Sequence, residues 1–295
     1  MNRSYQRRCT KGPRARAALL ACALAAGLPI AIASPAGAHP PLSEAEAAVD
    51  HSLEKDPDNA TLHLERAYID RKKADWDRAA ASFVRAATLG ADPHTVDLAL
   101  ADVFLRAGLA HTGQAYVERV LGEHPDHARA LIAHARIRVA LDDKQTAADD
   151  LRRAVTLLPD PEPALITEAM NAQLDVAERD RALAVADTAM QKIGVIATIQ
   201  LPAIELEREL GRFDRALART DTLLVQAPRH EGWLALRGDI LVEAGRADEA
   251  RATYEKALSL IRKRPPDRRG EKITMIERHL RVKLDDDKPV EEKMP

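Results

Sequence analysis

A pattern of small, apolar and proline residues recurs about every 34 residues along most of this 295-residue chain. If one unit is taken to begin at Ala60, further units begin at the following residues: His94, Ala128, Glu162, Ala197 and Glu231. The interval from 162 to 197 is 35 residues, which indicates one inserted residue in or near the fourth unit. Independent helices have no reason to share a period, so this spacing predicts a repeat array.

Two positions within each unit are occupied by small residues. Position 8 is small in five of six units, with Ile204 as the exception: Ala67, Ala101, Ala135, Ala169 and Gly238. Position 20 is small in every unit: Ala79, Gly113, Ala147, Ala182, Ala216 and Ala250. Two helices approach closely only where side chains are small, so each unit is predicted to contain a helix A and a helix B that cross at these positions. Prolines at position 32 then end helix B in three units: Pro125, Pro159 and Pro228.

This register resembles the tetratricopeptide repeat, which has small residues at positions 8 and 20, an aromatic residue near 24 and proline near 32. The resemblance covers roughly residues 60–260 and is best in the last unit, which has Gly238 and Tyr254. The first unit departs from it, with Arg66 and Asp70 where leucine and tyrosine are common. The resemblance implies an all-α fold, a right-handed α-α superhelix or solenoid of about six helix pairs. Its units are expected near residues 60–93, 94–127, 128–161, 162–196, 197–230 and 231–264.

Both flanks of the array predict capping helices. The sequence Ser43-Glu44-Ala45-Glu46 is typical of a capping box and predicts an N-terminal capping helix within residues 39–59. Ile273, Ile276 and Leu280 have helical spacing and predict a C-terminal capping helix within residues 265–284. The charged segment 285–295 is expected to be a disordered tail.

The first 38 residues have the composition of a secretory signal peptide. Six basic residues and no acidic residue precede an apolar run from 17 to about 33, and small residues follow. We expect cleavage after Ala38 or, alternatively, after Ala33, and export to the periplasm or secretion. A third alternative is a membrane-anchored lipoprotein, because Leu19-Leu20-Ala21-Cys22 resembles a lipobox. Membrane association is expected only if Cys22 is lipidated.

Removal of this segment changes the chemistry of the remaining chain. Both cysteines, Cys9 and Cys22, lie in it, so a chain beginning at residue 39 has no thiol. Its formal net charge falls from −2 to −8, because six basic residues are lost. A nucleic-acid partner is therefore not expected, since binding to phosphates requires a concentrated basic face.

The resemblance also implies a binding surface. In tetratricopeptide repeats, positions 2, 5, 9, 12 and 13 of helix A usually face a bound peptide. In the first three units this gives Tyr68, Arg71, Lys72, Asp102, Arg106, Arg129 and Arg136 as candidates. In the last three units it gives Met170, Gln173, Glu205, Arg208, Glu209, Asp239 and Glu243. A groove that is basic at one end and acidic at the other is expected to hold a protein or peptide segment of opposite polarity. The alternative is a solvated polar face that binds no specific partner.

The sequence contains none of the catalytic or phosphate-binding motifs that we sought, so we expect no enzyme activity and no cofactor. His124, His127 and His134 do not have the spacing of a metal motif and are interpreted as ordinary structural residues, the first two in an exposed turn. The expected function is a non-catalytic scaffold or adaptor in the cell envelope. A lipid-anchored assembly factor and a glycan-binding or enzymatic repeat module are the alternatives.

Overall fold

The computed structural model of the protein describes residues 42–286, which form fourteen α-helices and a short 3₁₀ turn at Pro266–Arg268. The first seven helices are α1 (Leu42–Lys55), α2 (Ala60–Lys72), α3 (Trp76–Thr88), α4 (Pro93–Arg106), α5 (Ala110–Glu123), α6 (Ala128–Ala140) and α7 (Lys144–Leu157). The other seven are α8 (Pro163–Asp175), α9 (Arg179–Ile193), α10 (Ala197–Glu209), α11 (Phe213–Gln226), α12 (Glu231–Glu243), α13 (Ala247–Arg262) and α14 (Glu271–Asp286). Between residues 42 and 286 there is no β-strand.

Helices α2 to α13 form six consecutive pairs, and each helix also packs against the helix that follows it. The even-numbered helix of each pair is helix A of a unit and the odd-numbered helix is helix B. Helix α1 packs on α2, and α14 packs on α12 and α13. The prediction of an all-helical array of six helix pairs with a further helix at each end is therefore confirmed. The predicted signal peptide, its cleavage sites and Cys22 lie outside the described residues.

The turn between helix A and helix B contains one residue with a positive φ in every unit. One residue in each turn has a positive φ between 60° and 78°: Ala74, Gly108, Asp142, Ala177, Gly211 and Gly245. These residues are 34 apart except for Asp142 and Ala177, which are 35 apart. The α7–α8 connection has five residues, 158–162, whereas the α5–α6 connection has four, 124–127. The inserted residue therefore lies between the third and fourth units, and the fourth unit begins at Pro163.

The residues at the predicted crossing positions form the core. Ala67, Ala101 and Ala135 at position 8 have no exposed surface, and Phe83 at position 24 is also fully buried. With the fourth unit beginning at residue 163, position 8 there is Met170, which is only 3% exposed. Position 8 is thus buried throughout. It is a small residue in four units and a larger one, Met170 or Ile204, in the fourth and fifth.

Arg66, which departs from the repeat pattern, attaches the N-terminal capping helix. Its side chain is buried and pairs with Asp70 at 3.1 Å, with Glu46 at 2.8 Å and with Asp50. Glu46 and Asp50 lie on α1, so ion pairs replace the apolar contact that leucine would make with a preceding repeat. Hydrogen bonds from Lys73 and Arg66 lower the pKa of Glu46.

The C-terminal capping helix is attached by apolar contacts. Leu280 is fully buried and packs with Tyr254 and Ile261 of α13, and Ile273 and Ile276 join the same cluster. Helix α14 continues to residue 286, two residues into the segment that was expected to be a tail; the rest of that segment lies outside the described residues. Within residues 42–286, no helix combines the length and apolar character that crossing a membrane requires.

Candidate functional site

The helices A of the first three units, α2, α4 and α6, line a pocket with a volume of about 480 Å³. Five of the residues predicted to face a partner line it: Tyr68, Arg71, Asp102, Arg129 and Arg136. The sequence register therefore brings these five side chains to one surface. We call the surface formed by α2, α4, α6, α8, α10 and α12 the A-helix face, and this pocket the A-helix pocket.

The A-helix pocket has an apolar part that is held rigidly. Leu98 and Ile132 line it from α4 and α6. The Tyr68 ring packs edge-on against the buried ring of Phe83, with centroids 5.1 Å apart. The guanidinium of Arg71 lies over the Tyr68 ring, 5.1 Å from its centroid, as a cation–π contact. An apolar side chain from a partner would meet a surface that is already ordered, which lowers the entropy cost of binding.

Most of the predicted basic residues in this pocket are paired with carboxylates from the same face. Asp102 accepts hydrogen bonds from Arg71 of the preceding unit and from Arg106 of its own helix, both at 2.9 Å. Arg136 makes two hydrogen bonds to Glu168 of α8, at 3.1 and 3.0 Å, and the Glu168 contact raises the pKa of Arg136. These pairs tie successive A helices together and reduce the positive charge available to a partner.

Two of the predicted basic residues form no ion pair with the part of the chain that the structure describes: Lys72, at the end of α2, and Arg129, in the first turn of α6. Both are exposed, and Arg129 lines the A-helix pocket. Because its charge is not neutralised by a neighbouring carboxylate, Arg129 is the residue best suited to contact an acidic group of a partner.

The second half of the A-helix face keeps an acidic character. Arg208 on α10 donates hydrogen bonds to Glu205 and, at 2.9 Å, to Glu243 on α12, and the Arg208 contact lowers the pKa of Glu243. Asp239 accepts hydrogen bonds from the Tyr254 hydroxyl at 2.8 Å and from His279 at 2.9 Å, so it joins α12 to α13 and α14. Glu209 is exposed at the end of α10. Arg208 thus neutralises only part of the negative charge contributed by these carboxylates.

Two predicted residues of the fourth unit do not face a groove. Met170 is 3% exposed and Gln173 is fully buried, and the Gln173 amide donates to the carbonyl oxygen of Ala148 at 2.7 Å. The prediction was wrong for both because it placed the inserted residue too late in the chain and shifted α8 by one position. With the fourth unit beginning at Pro163, positions 5, 9, 12 and 13 of its helix A are exposed residues: Thr167, Asn171, Leu174 and Asp175. The two prolines at 159 and 161 were the available signal that the extra residue lies in the connection.

The three histidines considered together in the sequence do not form a cluster. His134 is buried, and its Nδ1 lies 2.6 Å from the carboxylate of Asp150. His127 is the N-cap of α6, where its Nδ1 accepts a hydrogen bond from the backbone N–H of Ala130 at 3.1 Å. His124 instead lies next to His94, a residue that the spacing analysis did not consider.

Comparison with protein families finds two adjacent segments of repeats. Residues 163–286 match a tetratricopeptide repeat-like domain, and residues 98–160 match a tetratricopeptide repeat. A search of the curated proteins finds no match.

Comparison with solved structures finds helical repeat proteins at low sequence identity. A tetratricopeptide repeat protein from Parabacteroides merdae is 17% identical, with 82% of this chain and 92% of that chain covered and a TM-score of 0.44. PilW, described as a type IV pilus biogenesis factor, is 19% identical, with coverages of 63% and 86% and a TM-score of 0.48. A thermophilic tetratricopeptide repeat protein of Thermus thermophilus is 22% identical, with coverages of 62% and 100% and a TM-score of 0.39.

Proposed function

We propose that this chain, whose residues 98–160 match a tetratricopeptide repeat and residues 163–286 a tetratricopeptide repeat-like domain, is a non-catalytic adaptor that binds a segment of a partner protein on its A-helix face. Tetratricopeptide repeats generally mediate protein–protein interaction, and the A-helix pocket is the observation that carries the proposal for this chain. It combines apolar and charged lining residues, and protein interfaces place their main energetic contacts where apolar groups are bordered by polar ones.

The chemistry of the pocket specifies the kind of segment that would bind. An apolar side chain would lie between Leu98 and Ile132, next to the fixed ring of Tyr68. An acidic side chain of the same segment would contact Arg129. Toward the other end of the A-helix face, Glu205 and Glu209 favour a basic portion of the partner. Complementary charge of this kind determines the direction in which the segment lies more than it determines affinity.

We place this adaptor in the cell envelope. The support is the basic N-terminal segment and the apolar run up to residue 33, which are typical of an export signal. A lipid-anchored assembly factor is the second candidate, favoured by the lipobox-like Leu19-Leu20-Ala21-Cys22. The mass of the mature N-terminus distinguishes the two, because lipidation would retain Cys22 whereas cleavage after Ala33 or Ala38 would remove it. A glycan-binding module has less support, since Tyr68 is the one tyrosine, phenylalanine or tryptophan that lines the pocket.

Site-specific photo-crosslinking in the cell would test the binding surface. A photo-reactive amino acid at Thr95, an exposed residue that lines the A-helix pocket, should crosslink a specific protein. The same amino acid at Arg179, an exposed residue on helix B of the fourth unit, should not crosslink that protein. Crosslinking of the same partner from Arg179 but not from Thr95 would place the binding surface on the B helices.

The crosslinked partner, once purified, allows a quantitative test of the charge contact. Arg129→Glu should weaken binding at least about tenfold, because it replaces attraction to an acidic group with repulsion. Arg179→Glu makes the same charge change on a helix B and should leave the affinity unchanged. Arg136→Glu is less informative, because it would also break the ion pair with Glu168 that joins α6 to α8. Equal affinities of the wild type and the Arg129→Glu variant would contradict the proposed contact.

A further inference from the structure

Three metal-ligating side chains meet at the open end of the second helix pair. His94 lies in the first turn of α4, and Glu123 and His124 lie at the end of α5. Because α4 and α5 are paired and joined by a short turn, the start of one lies beside the end of the other. The His94 Nε2 is 3.0 Å from the Glu123 carboxylate, and the two imidazole rings are 4.7 Å apart at their centroids, with planes at 89°.

We propose that His94, Glu123 and His124 form a binding site for a divalent transition-metal ion such as Zn²⁺. One ligand atom from each of the three lies within 4.8 Å of the other two. Ligand atoms about 2.0–2.2 Å from a tetrahedral zinc ion are roughly 3.3–3.5 Å from each other. Small rotations of these three side chains would therefore bring all three atoms into a coordination sphere.

The donor set determines which ions fit. Two imidazole nitrogens with one carboxylate oxygen suit zinc, copper or nickel, whereas magnesium and calcium prefer ligand sets made of oxygen. Three protein ligands leave one tetrahedral position for water or for a group from another molecule. The site is reached directly from solvent, because the His94 side chain is 30% exposed and that of Glu123 is 69% exposed.

The basic side chain of Arg119, which lies beside the site, does not oppose a cation there. Arg119 borders the same surface opening as His94 and Glu123, but it is engaged with Asp97 through two hydrogen bonds, at 3.0 and 2.5 Å. The hydrogen bond to Asp97 raises the pKa of Arg119. The pair is neutral as a unit, so Arg119 adds no net positive charge beside Glu123.

A bound ion would connect residue 94 to residues 123 and 124. It would cross-link the start of α4 to the end of α5. It would also stabilise the folded state, because the three ligands are brought together only when the chain is folded. His94 also lines the A-helix pocket, so the ion would lie at the border of that pocket. Metal binding by the isolated protein does not depend on the proposed partner and is tested without it.

The test is a titration of tag-free protein, residues 39–295, with Zn²⁺ in an isothermal calorimeter at neutral pH. All samples carry His39→Ala, so that an N-terminal amine and imidazole do not form a second chelate. We expect one zinc ion to bind per chain and to raise the Tm. His94→Ala, His124→Ala and Glu123→Gln should each weaken binding at least about tenfold and reduce the rise in Tm at the same zinc concentration.

The matched control is His111→Ala, which removes an exposed histidine from the same helix, α5, and should leave zinc affinity unchanged. Two results would overturn the proposal. One is the absence of binding at millimolar zinc, and the other is binding that the His94→Ala and His124→Ala variants retain at full strength. The three ligands lie at the surface or are half-buried, so circular dichroism of the variants should match that of the wild type.

Discussion

Gly238 of α12 packs directly against one edge of the ring of Tyr254 of α13. A Cβ atom built on Gly238 would be 2.1 Å from Cε1 and 2.5 Å from Cδ1 of that ring. The ring is 2% exposed, and its hydroxyl donates a hydrogen bond to Asp239, so it has little freedom to move away. Position 8 must be small in this unit because position 24 carries an aromatic ring that occupies the space between the two helices.

Replacement of Gly238 tests this relationship. Gly238→Ala should lower the free energy of unfolding by about 1–3 kcal/mol, because the added methyl group overlaps the ring. In a helix without such a contact, the same change stabilises by roughly 0.5–1 kcal/mol. Gly232→Ala in the same helix is the control, since its Cβ would lie 3.7 Å from the nearest side-chain atom, in Ile276. Urea denaturation of both variants should rank Gly232→Ala above Gly238→Ala, and the reverse order would contradict the packing described here.

Leu280 provides a test of the C-terminal capping helix. It is fully buried against the last pair of repeat helices, so Leu280→Ala should cost about 2–5 kcal/mol. Met275 lies on the same helix but is 64% exposed, and Met275→Ala should change stability by less than about 0.5 kcal/mol. Since each unit of a repeat array contacts only its neighbours, amide hydrogen exchange in the Leu280→Ala variant should increase in α12 and α13 and not in α2 to α5. An equal increase in all helices would indicate a cooperative unit that includes the whole array.

The fold could be predicted because its period arises from close packing. At the crossing of α4 and α5, a Cβ on Gly113 would lie 2.9 Å from the carbonyl oxygen of Ala101, so only the smallest residues fit there. Because each helix pair has the same crossing, position 20 is alanine or glycine in all six units. The C-terminal capping helix was predicted for a similar reason, since Ile273, Ile276 and Leu280 have the spacing of a helix with one buried face.

The A-helix face could be predicted only in part, because side-chain pairing depends on distances between units. The register places Arg71 and Asp102 on the same face, but it does not show that Asp102 binds both Arg71 and Arg106. The proximity of His94 to His124 was missed for the same reason, since the two residues are 30 apart in sequence and meet only when the helices pair. Met170 and Gln173 were assigned to the exposed face of α8 although they are buried, because the position of the one-residue insertion was predicted incorrectly.

Pro202 lies inside α10 and removes one of its backbone hydrogen bonds. It is the sixth residue of that helix, where a proline removes the N–H that would donate to the carbonyl oxygen of Thr198. Pro202→Ala should therefore raise the free energy of unfolding by up to about 3 kcal/mol and slow hydrogen exchange in α10. Pro163→Ala at the start of α8 is the control, since a proline in the first turn costs no hydrogen bond. Thermal denaturation that gives the same Tm for the wild type and Pro202→Ala would show that α10 already accommodates the proline without cost.

Asp143 makes stability depend on pH through the N-terminus of α7. Its carboxylate accepts a hydrogen bond from the backbone N–H of Thr146 at 3.2 Å, and hydrogen bonding to Thr146 lowers the pKa of Asp143. A carboxyl whose pKa is lower in the folded state than in the unfolded state stabilises the fold above the unfolded value, about 3.9, and this stabilisation is lost as pH falls through the folded value.

Asparagine can cap the helix in the same way but does not titrate in this range. At neutral pH the wild type should therefore be more stable than Asp143→Asn, and the difference should shrink as the pH is lowered below about 4. Urea midpoints of both proteins at neutral and acidic pH measure this difference. Asn59→Ala removes the non-titrating cap of α2, whose side chain accepts from Thr61 and Leu62, and should cost about 1 kcal/mol at every pH. The stability difference between the wild type and Asp143→Asn could instead be independent of pH, as is expected for Asn59→Ala. In that case the charge of Asp143 would not contribute to the stability of the cap.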